Sequence, residues 1–376
     1  MTGFLRFFAI ALGVYTLTNA YILVRVFQGL AGPGMPGIIA RVFLVLWILA
    51  YPAGRIAERT LPWAGLSRCL VVSGSLYLGF MVTALFLFLA SDTALLAVHR
   101  GPVPSSLRRT ILLAVTFLSI LVVGIGTVNS LYPRAREAKL ELPGRSGKPI
   151  RVALFSDLHM GPLVGNGRVR NLVKQVNALD PDLVLLVGDI VDEDVSRLAE
   201  ERMAEALSGL SPRIGSFAVT GNHEYYAGEE EAVSYLESAG IRVLRDEAVV
   251  VEDRLVIAGR KDRTASRFGE SRLPLGEILR ETRRDLPVLV LDHQPRNLEE
   301  AEAAGVDLQV SGHTHHGQIL PFNLVTSRLY EISRGWGARG KTRFLVSSGV
   351  GTWGPPMRTS AAPEIWLLVL DFKETP

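Results

Sequence analysis

Four long apolar runs occupy the first third of the chain and constrain its fold more than any other feature. Residues 7–24, 69–90 and 111–128 contain no charged side chain, and a helix of about 20 such residues can cross the hydrocarbon layer of a bilayer. The remaining run, residues 42–53, is the second along the chain. It reaches that length only if residues 36–40 are included and Arg41 extends its guanidinium to the membrane surface. We therefore expect an α-helical membrane bundle of about four spans over residues 1–130.

Two other interpretations of these runs are less well supported. A cleavable signal peptide would explain the first run, but that run is long and further runs follow it. A transporter usually carries acidic side chains inside its spans, and the four runs contain none. The bundle is therefore expected to be an anchor.

The charge of the chain differs between its two parts. Residues 1–130 hold nine arginines, no lysine and only two acids, Glu58 and Asp92, for a net charge of +7. Residues 131–376 hold 31 basic and 35 acidic side chains, for a net charge of −4. Because the second part has no basic excess to neutralise phosphates, we expect no nucleic-acid partner. The single cysteine, Cys69, excludes an internal disulfide and a thiolate metal cluster.

The basic residues also predict an orientation in the membrane. With four spans, the amino terminus, the loop at residues 55–68 and the long carboxyl-terminal region share one side, which collects ten basic residues against five on the other. The positive-inside tendency then predicts an inner-membrane protein with a cytoplasmic carboxyl-terminal region. Residues 131–149 are predicted to be a basic linker, either lying against anionic lipid headgroups or simply solvated. Nothing in the sequence indicates an oligomeric state.

From residue 150 to residue 373 short apolar runs alternate with amphipathic stretches, which is typical of an α/β domain. Strands are predicted at residues 151–155, 183–187, 217–220, 255–258, 287–291, 308–310, 344–347 and 365–370. Helices are predicted at residues 168–179, 196–207, 229–238 and 298–304, and a β-hairpin at residues 242–253.

The histidines carry the main functional signal. Six of the seven follow residue 150, and each comes directly after a predicted strand, together with carboxylates and one asparagine. Because the carboxyl ends of strands in an open α/β sheet converge, these groups are expected to form one site. Carboxylate, imidazole and carboxamide ligands suit Mn²⁺, Fe or Zn²⁺. There are more ligands than one ion needs, which favours two divalent ions that share a bridging ligand and bind a phosphate.

The order of the motifs resembles the calcineurin-like metallophosphoesterase superfamily. Asp-x-His, Gly-Asp-x-x-Asp, Gly-Asn-His-Glu, a lone His and Gly-His-x-His follow one another between residues 150 and 372. The glycine-rich run at residues 346–352 is similar to the bacterial membrane-anchored branch, which includes phosphodiesterases and UDP-2,3-diacylglucosamine pyrophosphatases. The resemblance implies a β-sandwich flanked by helices and a two-metal hydrolase.

The resemblance also implies a role for each site residue. The first ion would be held by Asp157, His159 and His315, and the second by Asn222, His293 and His313, with Asp189 bridging the two. A metal-bound hydroxide would attack phosphorus. His223 would be a catalytic residue that protonates the leaving oxygen, oriented by Asp192.

Two positions depart from the patterns of related enzymes. Many protein phosphatases continue Gly-Asp-x-x-Asp with an arginine, whereas Glu193 and Asp194 follow here, which disfavours a phosphoprotein substrate. His316 stands where a glycine is frequent, and we interpret it as a supporting or surface histidine rather than a ligand.

Three further residues have open assignments. Arg358 is a candidate phosphate contact, with a surface salt bridge as the alternative. Trp336 and Trp353 either line an apolar substrate groove or serve as packing.

The predicted function is that of a membrane-anchored two-metal phosphoester hydrolase in contact with membrane lipids. The anchor favours a lipid-linked or nucleotide-diphospho substrate such as UDP-2,3-diacylglucosamine. A general phosphodiesterase or phosphomonoesterase is the alternative. A non-catalytic scaffold is less well supported, because all seven ligand positions and His223 are present.

Overall fold

The computed structural model describes residues 2–30, 34–60, 64–192, 195–200 and 202–374. Glu193 and Asp194, on which the argument against a phosphoprotein substrate depends, lie outside these residues. The chain divides into two compact units, Met1–Val128 with Gly354–Met357, and Asn129–Trp353 with Arg358–Pro376.

The first unit consists mainly of four long helices. They are α1 (Thr2–Gly29), α2 (Met35–Thr60), α3 (Ala64–Val98) and α4 (Ser105–Ser130). All four are long and apolar enough to cross a membrane, which confirms the predicted bundle. The second of these helices is long enough for a full span, because α2 begins at Met35 and so includes the segment on which its length depends.

Polar contacts inside this unit join α1 to α3. The Tyr77 hydroxyl donates a hydrogen bond to Asn19 Oδ1, and Arg25 forms an ion pair with Asp92. The apolar run predicted at residues 69–90 stops before Asp92, but α3 continues to Val98. This helix therefore includes an acidic residue, and its charge is compensated by the arginine of α1.

The second unit is a mixed α/β domain with two six-stranded sheets. Its strands are β1 (Arg134–Pro143), β2 (Ile150–Phe155), β3 (Leu183–Val187), β4 (Gly215–Val219), β5 (Ile241–Val243), β6 (Glu247–Val251), β7 (Leu255–Gly259), β8 (Val288–Leu291), β9 (Leu308–Ser311), β10 (Gly335–Arg339), β11 (Thr342–Val346) and β12 (Glu364–Lys373). The order is β1-β12-β2-β3-β4-β5 in the first sheet and β10-β11-β9-β8-β7-β6 in the second.

Eight helices accompany these strands in the described part of the second unit. They are α5 (Asn166–Asn177), α6 (Val195–Glu200), α7 (Met203–Leu207), α8 (Asn222–Ala227), α9 (Glu229–Ser238), α10 (Leu275–Ile278), α11 (Leu298–Ala303) and α12 (Phe322–Leu329). Short 3-10 helices lie at Arg263–Phe268 and His315–Gly317.

The two sheets pack face to face. Successive side chains along a strand point to opposite faces of its sheet, so they belong alternately to the core between the sheets and to the core under the helices. In β2, Val152 and Leu154 belong to the core between the sheets, together with Ile257 of β7 and Leu289 of β8. The intervening Ala153 and the following Phe155 belong to a second core under α5 and its neighbouring helices. Helices α10 and α11 cover the outer face of the second sheet. The predicted sandwich flanked by helices is confirmed.

Two local predictions differ from the structure. Residues 134–143, predicted as part of a linker, form β1, which pairs in parallel with β12, and Arg136 of this strand forms an ion pair of 2.7 Å with Glu364. The hairpin predicted at residues 242–253 is wrong, because β5 pairs with β4 in the first sheet and β6 pairs with β7 in the second. The turn between β5 and β6 therefore crosses from one sheet to the other.

Candidate metal centre

The predicted site residues lie at the carboxyl ends of five parallel strands. Asp157 and His159 follow β2, Asp189 and Asp192 follow β3, and Asn222 and His223 begin α8 after β4. His293 follows β8, and His313 and His315 follow β9. Both sheets thus contribute to the same cluster, as the alternation of strands and polar loops predicts.

The backbone of this cluster is strained in the way that functional sites often are. Five site residues have a positive φ, between 46° and 70°, which is the left-handed region: Asp157, His159, Asp189, His313 and His315. Such conformations cost about 1–3 kcal/mol each and persist where the surrounding structure enforces them. Gly312 permits the close approach of two loops, because a Cβ there would lie 2.5 Å from Asp157 Oδ2.

One group of three ligand-type side chains consists of Asp157, His159 and His315. One ligand atom from each lies within 4.8 Å of the others. The two imidazole Nε2 atoms are 3.1 Å apart, and His315 Nε2 is 3.5 Å from Asp157 Oδ1. All three residues are buried. These donors can hold one divalent ion.

A second group consists of Asp189, His293 and His313, again with ligand atoms within 4.8 Å of one another. Asp189 Oδ2 is 3.0 Å from His293 Nε2 and 3.9 Å from His159 Nε2. Its carboxylate therefore lies between the two groups, where a bridging ligand would be needed.

Two buried atoms, one at the start of α8 and one in the second group, have no hydrogen-bond partner among the described residues. They are Asn222 Oδ1 and His293 Nε2, the latter close to Asp189 but without hydrogen-bond geometry. His293 Nδ1 lies 2.7 Å from the carbonyl oxygen of Val187, so Nδ1 donates there and Nε2 is the nitrogen directed to Asp189. Burial alone lowers the pKa of His293, but the Asp189 carboxylate outweighs it and raises that pKa well above its ordinary value. Because unpaired buried polar atoms are costly, these two fit a site built for a cation.

His223 and Asp192 form a pair at the edge of the two groups. His223 Nδ1 is 2.6 Å from Asp192 Oδ1, which also lies 3.2 Å from His159 Nδ1. Burial alone lowers the pKa of His223, but the carboxylates of Asp189 and Asp192 outweigh it and raise that pKa to about 9. His223 can therefore carry a proton, and the ring nitrogen that does not face Asp192 is Nε2.

Two other histidines are kept neutral. Burial, reinforced by His293, lowers the pKa of His313 to about 3. Burial, reinforced by His159, holds the pKa of His315 well below its ordinary value. A histidine must be unprotonated to bind a metal ion, so this environment suits ligands.

Glu224 has a structural role that its motif alone does not reveal. Its buried carboxylate accepts hydrogen bonds from four backbone N–H groups, those of Asp189, Ile190, Val191 and Gly221, at 2.6–3.0 Å. These bonds fix the loop that carries Asp189 against the start of α8. The sequence signal was the glutamate two positions after Asn222, but its partners are distant in sequence.

Arg358 differs from both sequence interpretations, because it is neither a surface residue nor free to bind phosphate. The side chain is 1% exposed. Its guanidinium donates to the carbonyl oxygens of Gly351 and Ser348 at 2.6–2.8 Å, and Nη2 lies 3.1 Å from His315 Nδ1. Arg358 thus holds the glycine-rich loop against the first ligand group.

The other three residues singled out in the sequence, two tryptophans and His316, lie in different surroundings. Trp353 is exposed, and its ring centroid lies 5.7 Å from that of His223. Trp336 packs edge-to-face on Trp366 in the sheet. His316 turns to Ser333 Oγ, 2.9 Å from its Nδ1. Of the two tryptophans, Trp353 is the one beside the candidate centre.

Comparison with known proteins agrees with this architecture. Residues 150–317 match the family model described as calcineurin-like phosphoesterase. An "Uncharacterized metallophosphoesterase" of Aquifex aeolicus is 35% identical over 68% of this chain and 99% of that protein. A "Transmembrane protein with metallophosphoesterase domain" of Danio rerio is 33% identical over 70% of this chain and 63% of that protein, a little under two thirds of its length. "Phosphodiesterase YaeI" of Escherichia coli is 31% identical over 59% of this chain and 82% of that protein.

Fold, donor clusters and relatives together define the class as metal-dependent phosphoester hydrolases. The chain belongs to the calcineurin-like phosphoesterase family, which depends on two metal ions. Its four apolar helices make it a membrane protein of that family.

Proposed function

We propose that this chain hydrolyses phosphoesters with two divalent ions held at the candidate metal centre. The first ion is assigned to Asp157, His159 and His315, the second to Asn222, His293 and His313, and the bridge to Asp189. The observation that carries this assignment is that Asp189, a member of the second three-residue group, also lies 3.9 Å from His159 Nε2 of the first. Mn, Fe and Zn all suit this nitrogen and oxygen donor set.

The residues around the ions have distinct tasks. When bound, divalent ions polarise the phosphate oxygens and supply a nucleophile from water at neutral pH. His223 holds a proton at Nε2 and donates it to the leaving oxygen, while Asp192 orients the ring through Nδ1. Arg358 and Glu224 position the two loops that carry ligands.

We propose a phosphodiester or pyrophosphate linked to a lipid, such as UDP-2,3-diacylglucosamine, as the substrate. The support is the membrane anchor, together with the similarity to a protein named phosphodiesterase. Exposed Trp353 beside His223 offers an apolar contact for the leaving portion of such a molecule. A general phosphodiesterase is the second candidate, and water-soluble diesters test it.

Removal of metal is expected to abolish hydrolysis reversibly. We expect the detergent-purified full chain to contain two divalent ions and to cleave bis(p-nitrophenyl) phosphate. Dialysis against a chelator should stop turnover, and Mn²⁺, Fe²⁺ or Zn²⁺ should restore it, because the ligand side chains remain in place. Metal analysis before and after dialysis is the measurement. Unchanged turnover in metal-free protein would overturn the proposal.

We further propose that the second unit lies on the cytoplasmic side of an inner membrane. The support is the even number of apolar helices and the excess of basic residues on that side. In a Cys69→Ser background, an impermeant maleimide added to intact cells should label Gly101→Cys, between α3 and α4, and spare Val250→Cys on β6. The reverse labelling pattern would show the opposite orientation.

A further inference from the structure

Helix α12 exposes an unusual number of large apolar side chains for a domain outside the membrane. Leu324, Val325 and Leu329 are 56%, 50% and 61% exposed, and none of the eight residues of the helix is buried. Leu320 and Phe322, at the start of the segment, are 53% and 40% exposed. Contiguous apolar patches of this kind mark interaction sites.

The polarity of α12 is the reverse of that in an ordinary surface helix, which turns its apolar face to the core. Two of its polar residues contact the domain: Asn323 Oδ1 is buried, and Thr326 Oγ1 accepts a hydrogen bond of 3.2 Å from Ser333. The apolar residues face outward. Burial within its own domain therefore does not explain the sequence of α12.

A lipid bilayer is the partner that the rest of the chain indicates for the exposed apolar face of α12. Helix α4, which is apolar enough to span a membrane, ends at Ser130, and β1 of the second unit begins at Arg134. The three residues between them reach at most about 10 Å, so this tether keeps a bilayer within reach of the second unit. Helix α12 contains no acid and carries the exposed Arg328, which suits anionic headgroups.

Helix α12 is also joined directly to the metal-ligand loop after β9. Gly317, which follows His315 and His316, packs so tightly on the helix that a Cβ there would lie 2.3 Å from the backbone nitrogen of Asn323. At the other end of the helix, the Tyr330 ring lies 6.0 Å from that of His313. Helix α12 therefore lies beside the loop that carries His313 and His315.

We propose that α12 inserts its apolar face into the headgroup region of the bilayer and brings the candidate metal centre to the lipid surface. The proposed insertion of α12 does not depend on which ester the protein cleaves. Its consequence, that substrate is taken from the bilayer rather than from water, rests on the proposed function.

Fluorescence quenching by lipids tests the insertion without reference to activity. The full chain, with Cys69→Ser, would carry an environment-sensitive label at Leu324→Cys or, as the matched control, at the exposed Val250→Cys on β6. It would be reconstituted in vesicles of phosphatidylcholine and phosphatidylglycerol with brominated acyl chains. Because interfacial helices lie about 5–10 Å deep, we expect strong quenching and a blue shift at residue 324 and little change at residue 250. Equal quenching at both positions would overturn the proposal.

A second copy of the chain is the other possible occupant. Energy transfer between labels at residue 324 of different copies, without quenching by brominated lipid, would show that occupant and overturn insertion. Retained metal content in both cysteine variants would verify that they are folded.

A charged substitution on α12 tests the consequence of insertion for hydrolysis. Leu324→Glu should reduce hydrolysis of a phosphoester embedded in vesicles roughly tenfold or more, the effect of about 1.4 kcal/mol, and leave hydrolysis of bis(p-nitrophenyl) phosphate unchanged. Val250→Glu, the matched control, should change neither. Equal losses on both esters would count against capture from the bilayer.

Discussion

Asp189→Asn is expected to lower turnover by about 10²–10³-fold, the scale on which loss of one electrostatic group at the reacting centre acts. The variant replaces a carboxylate whose Oδ2 lies 3.0 Å from His293 Nε2 of one ligand group and 3.9 Å from His159 Nε2 of the other. An amide has one acceptor oxygen, so it cannot bridge two ions and also accept the backbone N–H of His223, which Asp189 Oδ1 does at 2.9 Å. We expect fewer than two ions per chain by metal analysis.

The matched control for this variant is Asp180→Asn. Asp180 also has a positive φ, of 49° against 53° for Asp189, but it is exposed in the turn after α5. Asparagine tolerates the left-handed region, so both variants should keep the fold and its thermal unfolding temperature. Turnover and metal content in Asp189→Asn that match those of Asp180→Asn would refute the bridging role.

His223→Ala is expected to lower turnover by about 10²–10⁴-fold on esters with a poor leaving group. The reason is the loss of the proton that His223 holds opposite Asp192. An ester that releases p-nitrophenolate needs no such proton, so its hydrolysis should fall far less. Rates measured over a series of leaving groups would show a steeper dependence on leaving-group pKa than in the parent enzyme.

Metal content separates this role from ligation. His223→Ala should retain both ions, since His223 Nδ1 pairs with Asp192 at 2.6 Å. His159, Asp192 and His223 also form a group whose ligand atoms lie within 4.8 Å of one another, so the metal content of this variant is the deciding measurement. His316→Ala is the matched control, because His316 is half-buried and contacts Ser333. A loss of ions, or an equal loss of rate for all leaving groups, would contradict the proton-donor role.

The sequence predicted the strands that are buried on both faces well. The prediction at residues 183–187 coincides with β3, all five residues of which are buried, because a continuous apolar run between turn signals has few other solutions. The apolar helices were equally predictable, since crossing a bilayer sets both their length and their composition. The gathering of site residues followed from their position at strand ends.

Other features depended on contacts that no local pattern encodes. Strand β1 has mostly exposed residues, and it exists because β12, over 200 residues later, offers its edge. Strands β5 and β6 resemble a hairpin locally but pair with different sheets. Arg358, which resembles a surface residue in sequence, is buried against carbonyl oxygens and His315.

The sequence by itself determined the class of the chain: apolar run length set the membrane helices, and the order of histidine and carboxylate motifs indicated a metal-dependent hydrolase. The tertiary structure decided which side chains meet. It placed Asp189 between two ligand groups, gave Glu224 four backbone partners, and turned the apolar face of α12 outward. The physical reason is the separation in sequence of the residues that interact. Hydropathy and motif spacing are local properties, whereas a bridging carboxylate, hydrogen bonds between distant loops and the exposure of a helix face exist only once the sheets have packed.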